Sequence, residues 1–75
     1  MGAGIPVLTA AQVERILLAL GFKYRSGKGA HRFYRHLDGR TTTVPFHAGR
    51  DISPTLFRKI CKDVGHSVES FLQHR

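Results

Sequence analysis

One cysteine, five acidic residues, no tryptophan and no long apolar run mark this 75-residue chain. With Cys61 alone there is no intramolecular disulfide framework, on which small secreted domains commonly depend, so a reducing cytoplasm is the expected compartment. No stretch approaches the length needed to span a bilayer. The opening MGAGIPVLTAAQ has no basic leader and no extended apolar segment, and Pro6 stands where a myristoylation signal carries Ser or Thr. Neither export nor lipid anchoring is therefore expected. There is no Cys-x-x-Cys and no His-x-x-x-His among the five histidines, and Cys61 falls on an apolar helix face, so no metal or other cofactor is expected.

What the chain has in excess is positive charge. Twelve Lys and Arg against five Asp and Glu give a formal +7, with a pI near 10.6. On so small a surface this makes a strong positive potential that attracts polyanions, nucleic acid first among them. No single helix carries most of the cations, which argues against a membrane-surface helix. A chain of this length buries only about 60% of its unfolded surface, so nearly every apolar residue must serve one core. A single domain over residues 1–75 is expected, with residues 1–8 as a flexible extension.

The element order can be read from caps and periodicity. Thr9 and Gln12 form a capping box, flanked by Leu8 and Val13 as a hydrophobic staple. Val13, Ile16, Leu17 and Leu20 then recur at helical spacing up to Gly21, which predicts a helix over 10–20 with Phe22 folding back onto Leu17. Three strands are expected at 22–25, 31–37 and 41–46. Asp38-Gly39 predicts a two-residue hairpin between the last two, pairing Phe33 with Val44, Tyr34 with Thr43 and His31 with Phe46. Pro45 confines the third strand to an edge. Ser53-Pro54 starts a second helix whose apolar face is Leu56, Phe57, Ile60, Cys61 and Val64, ended by Gly65. Ser67 caps a short helix over 68–72. The order α-β-β-β-α makes an α+β fold, with helices packed on one face of a three-stranded antiparallel sheet.

Gly21-Phe22, Gly29-Ala30-His31, Asp38-Gly39, Val44-Pro45-Phe46-His47 and Ile60 together resemble the HicA toxin family, small bacterial ribonucleases of toxin–antitoxin pairs. The resemblance spans about residues 13–72. It implies a double-stranded-RNA-binding-domain-like fold, messenger RNA as substrate, a HicB-like antitoxin as partner, and His31 as the catalytic residue. Ala30 stands where the family usually has Ser, so any phosphate contact by that hydroxyl is absent.

The chemistry of the residues agrees. Cleaving RNA without a metal needs a base for the 2′-hydroxyl, an acid for the departing 5′-oxygen and cations for the developing phosphorane charge. Histidine, with an ordinary pKa of about 6.5, is the side chain nearest working pH. Glycines around His31, Gly29 among them, let backbone amides approach a phosphate, with Lys28 and Arg32 bracketing the histidine. Taken alone, the residues leave His31 open between catalysis and a hydrogen-bonded place at a strand end. Tyr34 and Phe33 can stack bases, Phe33 being better suited to the core. His47 is a second acid or phosphate ligand, or simply the close of the third strand. Arg58, Lys59 and Lys62 can grip phosphates, or form the solvated face of the second helix, and Lys23, Arg25, Lys28 and Arg50 extend the cationic field.

One conflict follows from the expected register. It puts His31 on the face that the helices cover, with Arg32, Tyr34, His36, Thr41 and Thr43 pointing away, unless a bulge reverses the facing. The expected protein is a monomeric, metal-independent ribonuclease toxin. A non-catalytic RNA-binding module and a small protein-interaction domain that meets an acidic partner are the alternatives.

Overall fold

The structure, a computed structural model, describes residues 6–47 and 50–75. Among the described residues eight elements follow in chain order: β1 (Leu8–Thr9), α1 (Ala10–Ala19), β2 (Lys23–Tyr24), β3 (His31–Arg35), β4 (Thr41–Pro45), β5 (Asp51–Ile52), α2 (Pro54–Val64) and α3 (Val68–Leu72). β2, β3 and β4 form an antiparallel sheet in that order, with the helices on one face, and the architecture is the double-stranded-RNA-binding-domain-like α+β fold.

The helix boundaries follow their local chemistry. Thr9 Oγ1 accepts from the Gln12 amide at 3.2 Å while Gln12 Oε1 accepts from the Thr9 amide at 2.8 Å, so two amides left over at the start of α1 are satisfied. At its end Gly21 takes φ +95, and the Phe22 amide reaches the Leu17 carbonyl at 3.0 Å. Ser53 caps α2 through the Leu56 amide, and Ser67 caps α3 through the Ser70 amide. Val13, Ile16 and Leu17 of α1, Phe57, Ile60, Cys61 and Val64 of α2, and Phe71 of α3 enclose Phe22, Tyr34 and Val44.

Two short strands were not expected. β1 and β5 pair antiparallel, Leu8 with Ile52 and Thr9 with Asp51, and draw the entrances of α1 and α2 together. Two-residue strands carry no alternation by which a sequence could announce them. Leu8 is 2% exposed and belongs to the core, so the expected N-terminal extension does not reach it. Residues 1–5 lie outside the described residues.

The hairpin register differs from expectation by one residue. His31 pairs with Pro45, Arg32 with Val44, Phe33 with Thr43 and Tyr34 with Thr42. The loop holds three residues, Leu37-Asp38-Gly39, closed by the His36 amide on the Arg40 carbonyl at 2.9 Å and ending on Gly39 at φ +98. Because side chains alternate, this single step turns the strand over. Tyr34 and Val44 are fully buried under the helices and Thr42 nearly so, while His31, Arg35, Thr41 and Thr43 are exposed. Phe33 is half-buried and stands outside the core, contrary to its expected place.

Glu14 explains why this facing is favoured. Its Oε2 accepts from the Tyr34 hydroxyl and, at 3.2 Å, from the Arg32 guanidinium, which also lies 3.9 Å from the centre of the Phe46 ring. With the expected register Tyr34 and Arg32 would point to solvent, and a half-buried carboxylate on α1 would lack both partners.

Candidate catalytic loop and nucleic-acid face

Residues 25–31 bring the chain from β2 back into β3 through a tight turn. The His31 amide donates to the Lys28 carbonyl at 2.9 Å, and the Phe46 amide donates to the Ala30 carbonyl, which extends the β3–β4 ladder by one rung. The rungs at 30:46 and 36:40 make 31:45 a non-hydrogen-bonded pair. Pro45, which has no amide proton, is therefore tolerated on the edge strand opposite His31.

Gly27 is required by close approach rather than by its dihedral angles. A Cβ there would lie 1.9 Å from the His31 carbonyl oxygen, so any side chain would push the loop off the start of β3. Gly29, at φ +57, faces open space and leaves the outer side of the turn bare. The result is an exposed histidine held by its backbone on three sides: the Lys28 carbonyl, the Pro45 pairing and the Gly27 chain. The conflict over His31 is thereby removed without a bulge, since its side chain lies on the side of the sheet opposite the helices.

The other expected site residues separate into groups. Lys28 and Gly29 lie in the exposed turn beside His31. His47 is exposed and leaves the sheet at the end where His31 enters it, just past the Phe46–Ala30 rung. Arg58, Lys59 and Lys62 lie on the outward side of the helix layer, with Lys59 Nζ paired to Asp63 at 3.1 Å. Arg50 is exposed beyond the end of β4.

Two assignments need correction. Arg32 does not bracket His31: alternation sends its side chain to the helix-covered face, where Glu14, Phe46 and Tyr24 surround it. Tyr34 cannot offer its ring to a base, because it is fully buried. Burial, reinforced by the bond to Glu14, raises the Tyr34 pKa above its ordinary value.

What the sequence reading missed is the composition of the open face. Lys23 pairs with Arg35, and the Arg25 amide donates to the Phe33 carbonyl at 2.7 Å, so Lys23, Arg25, Phe33 and Arg35 share the face that carries His31. Arg35 is hidden in a run of alternating charged and aromatic residues, where only the register shows which way it points. A cleft of about 200 Å³ on this side is lined by Lys23, Arg25, Arg35, His36 and Leu37. Among the described residues no group of three or more His, Cys, Asp or Glu stands close enough to hold a metal, and no helix is long and apolar enough to cross a membrane.

The arrangement, an exposed histidine beside a glycine turn on a cationic sheet face, is suited to acid–base work on a phosphodiester. The family model described as "HicA toxin of bacterial toxin-antitoxin" matches residues 10–66. A "Probable mRNA interferase HicA" of Pseudomonas fluorescens (strain Pf0-1) is 33% identical over 55 residues, covering 73% of this chain and 90% of that protein. The matched stretch takes in α1, the whole sheet with its glycine turn, and α2, and the chain therefore belongs to the HicA toxin family.

Proposed function

We propose that the protein is an endoribonuclease toxin that cleaves messenger RNA by metal-independent general acid–base catalysis at His31. The observation that carries this reading is the position of His31, exposed at the junction of the glycine turn and β3. There it can reach a 2′-hydroxyl while Lys28 and the bare backbone at Gly29 meet the phosphate. His47, at the same end of the hairpin, is the candidate for the complementary proton transfer. The toxin acts in the cytoplasm and is silenced by a HicB-like antitoxin. Carboxylates on that partner, laid over His31 and its neighbouring cations, would stop binding and cleavage together.

The test compares purified wild type with His31→Ala on one messenger RNA, with circular dichroism as the folding control. Loss of one acid or base typically lowers the rate by about 10²–10⁴. The variant should stay folded, because an exposed histidine contributes little to the core. A folded variant that cuts at the wild-type rate would remove His31 from the chemistry. Binding without cleavage by the wild type would instead mark an RNA-binding module.

A further inference from the structure

We propose that the open face of the sheet is a track for single-stranded RNA, in which Phe33 carries a stacked base and Lys23, Arg25 and Arg35 hold the neighbouring phosphates. This rests on the ribonuclease reading and adds to it the form of the substrate and the path it takes from His31.

Phe33 sets this face apart. Phe22, Tyr34, Phe57 and Phe71 are all in the core, and Phe46 packs against it under the Arg32 guanidinium. Phe33 alone among the phenylalanines is turned away, in a chain with few apolar residues to place. Its row across the sheet is Arg25, Phe33 and Thr43, between the row of His31 and Pro45 and the row of Lys23, Arg35 and Thr41. His31 and Phe33 are two residues apart on one strand, about 7 Å. A base on Phe33 therefore belongs to a nucleotide close to the phosphate that His31 addresses.

The charge on the face is uncompensated. The ion pairs among the described residues join Arg32 to Glu14, Arg40 and His36 to Asp38, and Lys59 to Asp63, and none uses Lys23, Arg25 or Arg35. The remaining acids, Asp51 and Glu69, belong to β5 and α3. The cleft between Lys23, Arg25 and Arg35 has room for a phosphate and several waters, each of which occupies about 30 Å³ in the liquid. An aromatic ring flanked by cations on a strand surface suits unpaired bases, because a duplex keeps its base faces stacked and inaccessible. An acidic protein would be drawn by the same charge but would gain less from a half-exposed ring than a base that stacks on it.

The experiment uses the full chain carrying His31→Ala, so that the probe survives. The probes are a twelve-nucleotide oligoadenylate, the same strand annealed to its complement, and a polyglutamate peptide. Phe33→Leu keeps apolar cover over the neighbouring strands but removes the stacking surface, and should weaken single-strand binding roughly 5- to 150-fold. Arg25→Gln with Arg35→Gln should reduce the salt slope by about 0.7 log units for each phosphate that is no longer held. Because the chain has no tryptophan, Phe33→Trp introduces a sole indole, whose emission should be quenched by the single strand and much less by the duplex. Unchanged affinity in a folded Phe33→Leu variant, an unquenched indole, or an equal loss of polyglutamate binding would each overturn the track. If Phe33→Leu binds normally while wild type still cuts RNA, the track fails and the catalytic reading stands. If Phe33→Leu weakens binding but His31→Ala still cuts, the reverse holds.

Discussion

Glu14 is the only acidic residue of α1, and it organises the strand that carries His31. By accepting from both Tyr34 and Arg32 it holds one face of β3 against the helix and so directs the neighbouring His31 outward. Tyr34 reports on this contact through pH. Its pKa is raised in the folded protein by burial and by the Glu14 bond, so the phenol keeps its proton more firmly when folded. The stability this contributes is complete below the unfolded pKa of about 10 and is lost as pH rises beyond it. Urea midpoints measured between pH 8 and 12 should therefore fall more steeply above pH 10 in wild type than in Tyr34→Phe. Parallel curves would show that Tyr34 does not resist ionisation. The position of His31 in a glycine-rich turn could be read from the sequence; its partnership through Glu14 could not, because the two lie 17 residues apart with no local pattern linking them.

At the scale of elements, the β3–β4 hairpin decides what the protein presents to solvent. Asp-Gly is compatible with a two-residue loop and with a three-residue loop ending on glycine, and the two differ by one step of register. The longer loop is held by contacts that both involve Arg40. Asp38 accepts from the Arg40 amide at 3.1 Å and from its Nε at 2.8 Å, while the Arg40 guanidinium donates to the Val64 carbonyl at the end of α2. The first contact holds the Asp38 carboxyl down at about 2, chiefly through the guanidinium bond. Gly39 supplies the φ of +98 that ends the loop. Alanine at Gly39 should lower stability by about 1–2 kcal/mol, the usual penalty for a Cβ in a left-handed conformation, and should leave cleavage intact in the folded fraction. Chemical denaturation measures the first and an RNA cleavage assay the second; an unchanged midpoint would mean that the loop relaxes to another geometry. All three helix N-caps and the extent of α3 were legible, since a cap is written within four residues. The register was not, since its determinants lie on α1 and α2.

For the whole molecule, charge is the property that matters most. The formal +7 is spread over the glycine turn, the open sheet face and the outer side of α2, so several phosphates can be neutralised at once. RNA affinity should fall steeply with salt, by about 0.7 log units per tenfold increase for each phosphate held in a single strand. Filter binding or fluorescence anisotropy of the His31→Ala chain across a salt series tests this, and an affinity that stays flat up to physiological salt would refute an electrostatic interface. Composition, caps and apolar periodicity by themselves determined the strong positive charge, the helices and the existence of the three main strands, because each depends on residues close together in the chain or on sums over it, while His31 was singled out by the resemblance to the family. Which side of the sheet carries His31 was decided only in three dimensions. A strand has two equivalent faces until something outside it chooses, and here the helices choose: Glu14 on α1 takes Tyr34 and Arg32 inward, Arg40 ties the loop to the end of α2, and His31, Phe33 and Arg35 are left facing out.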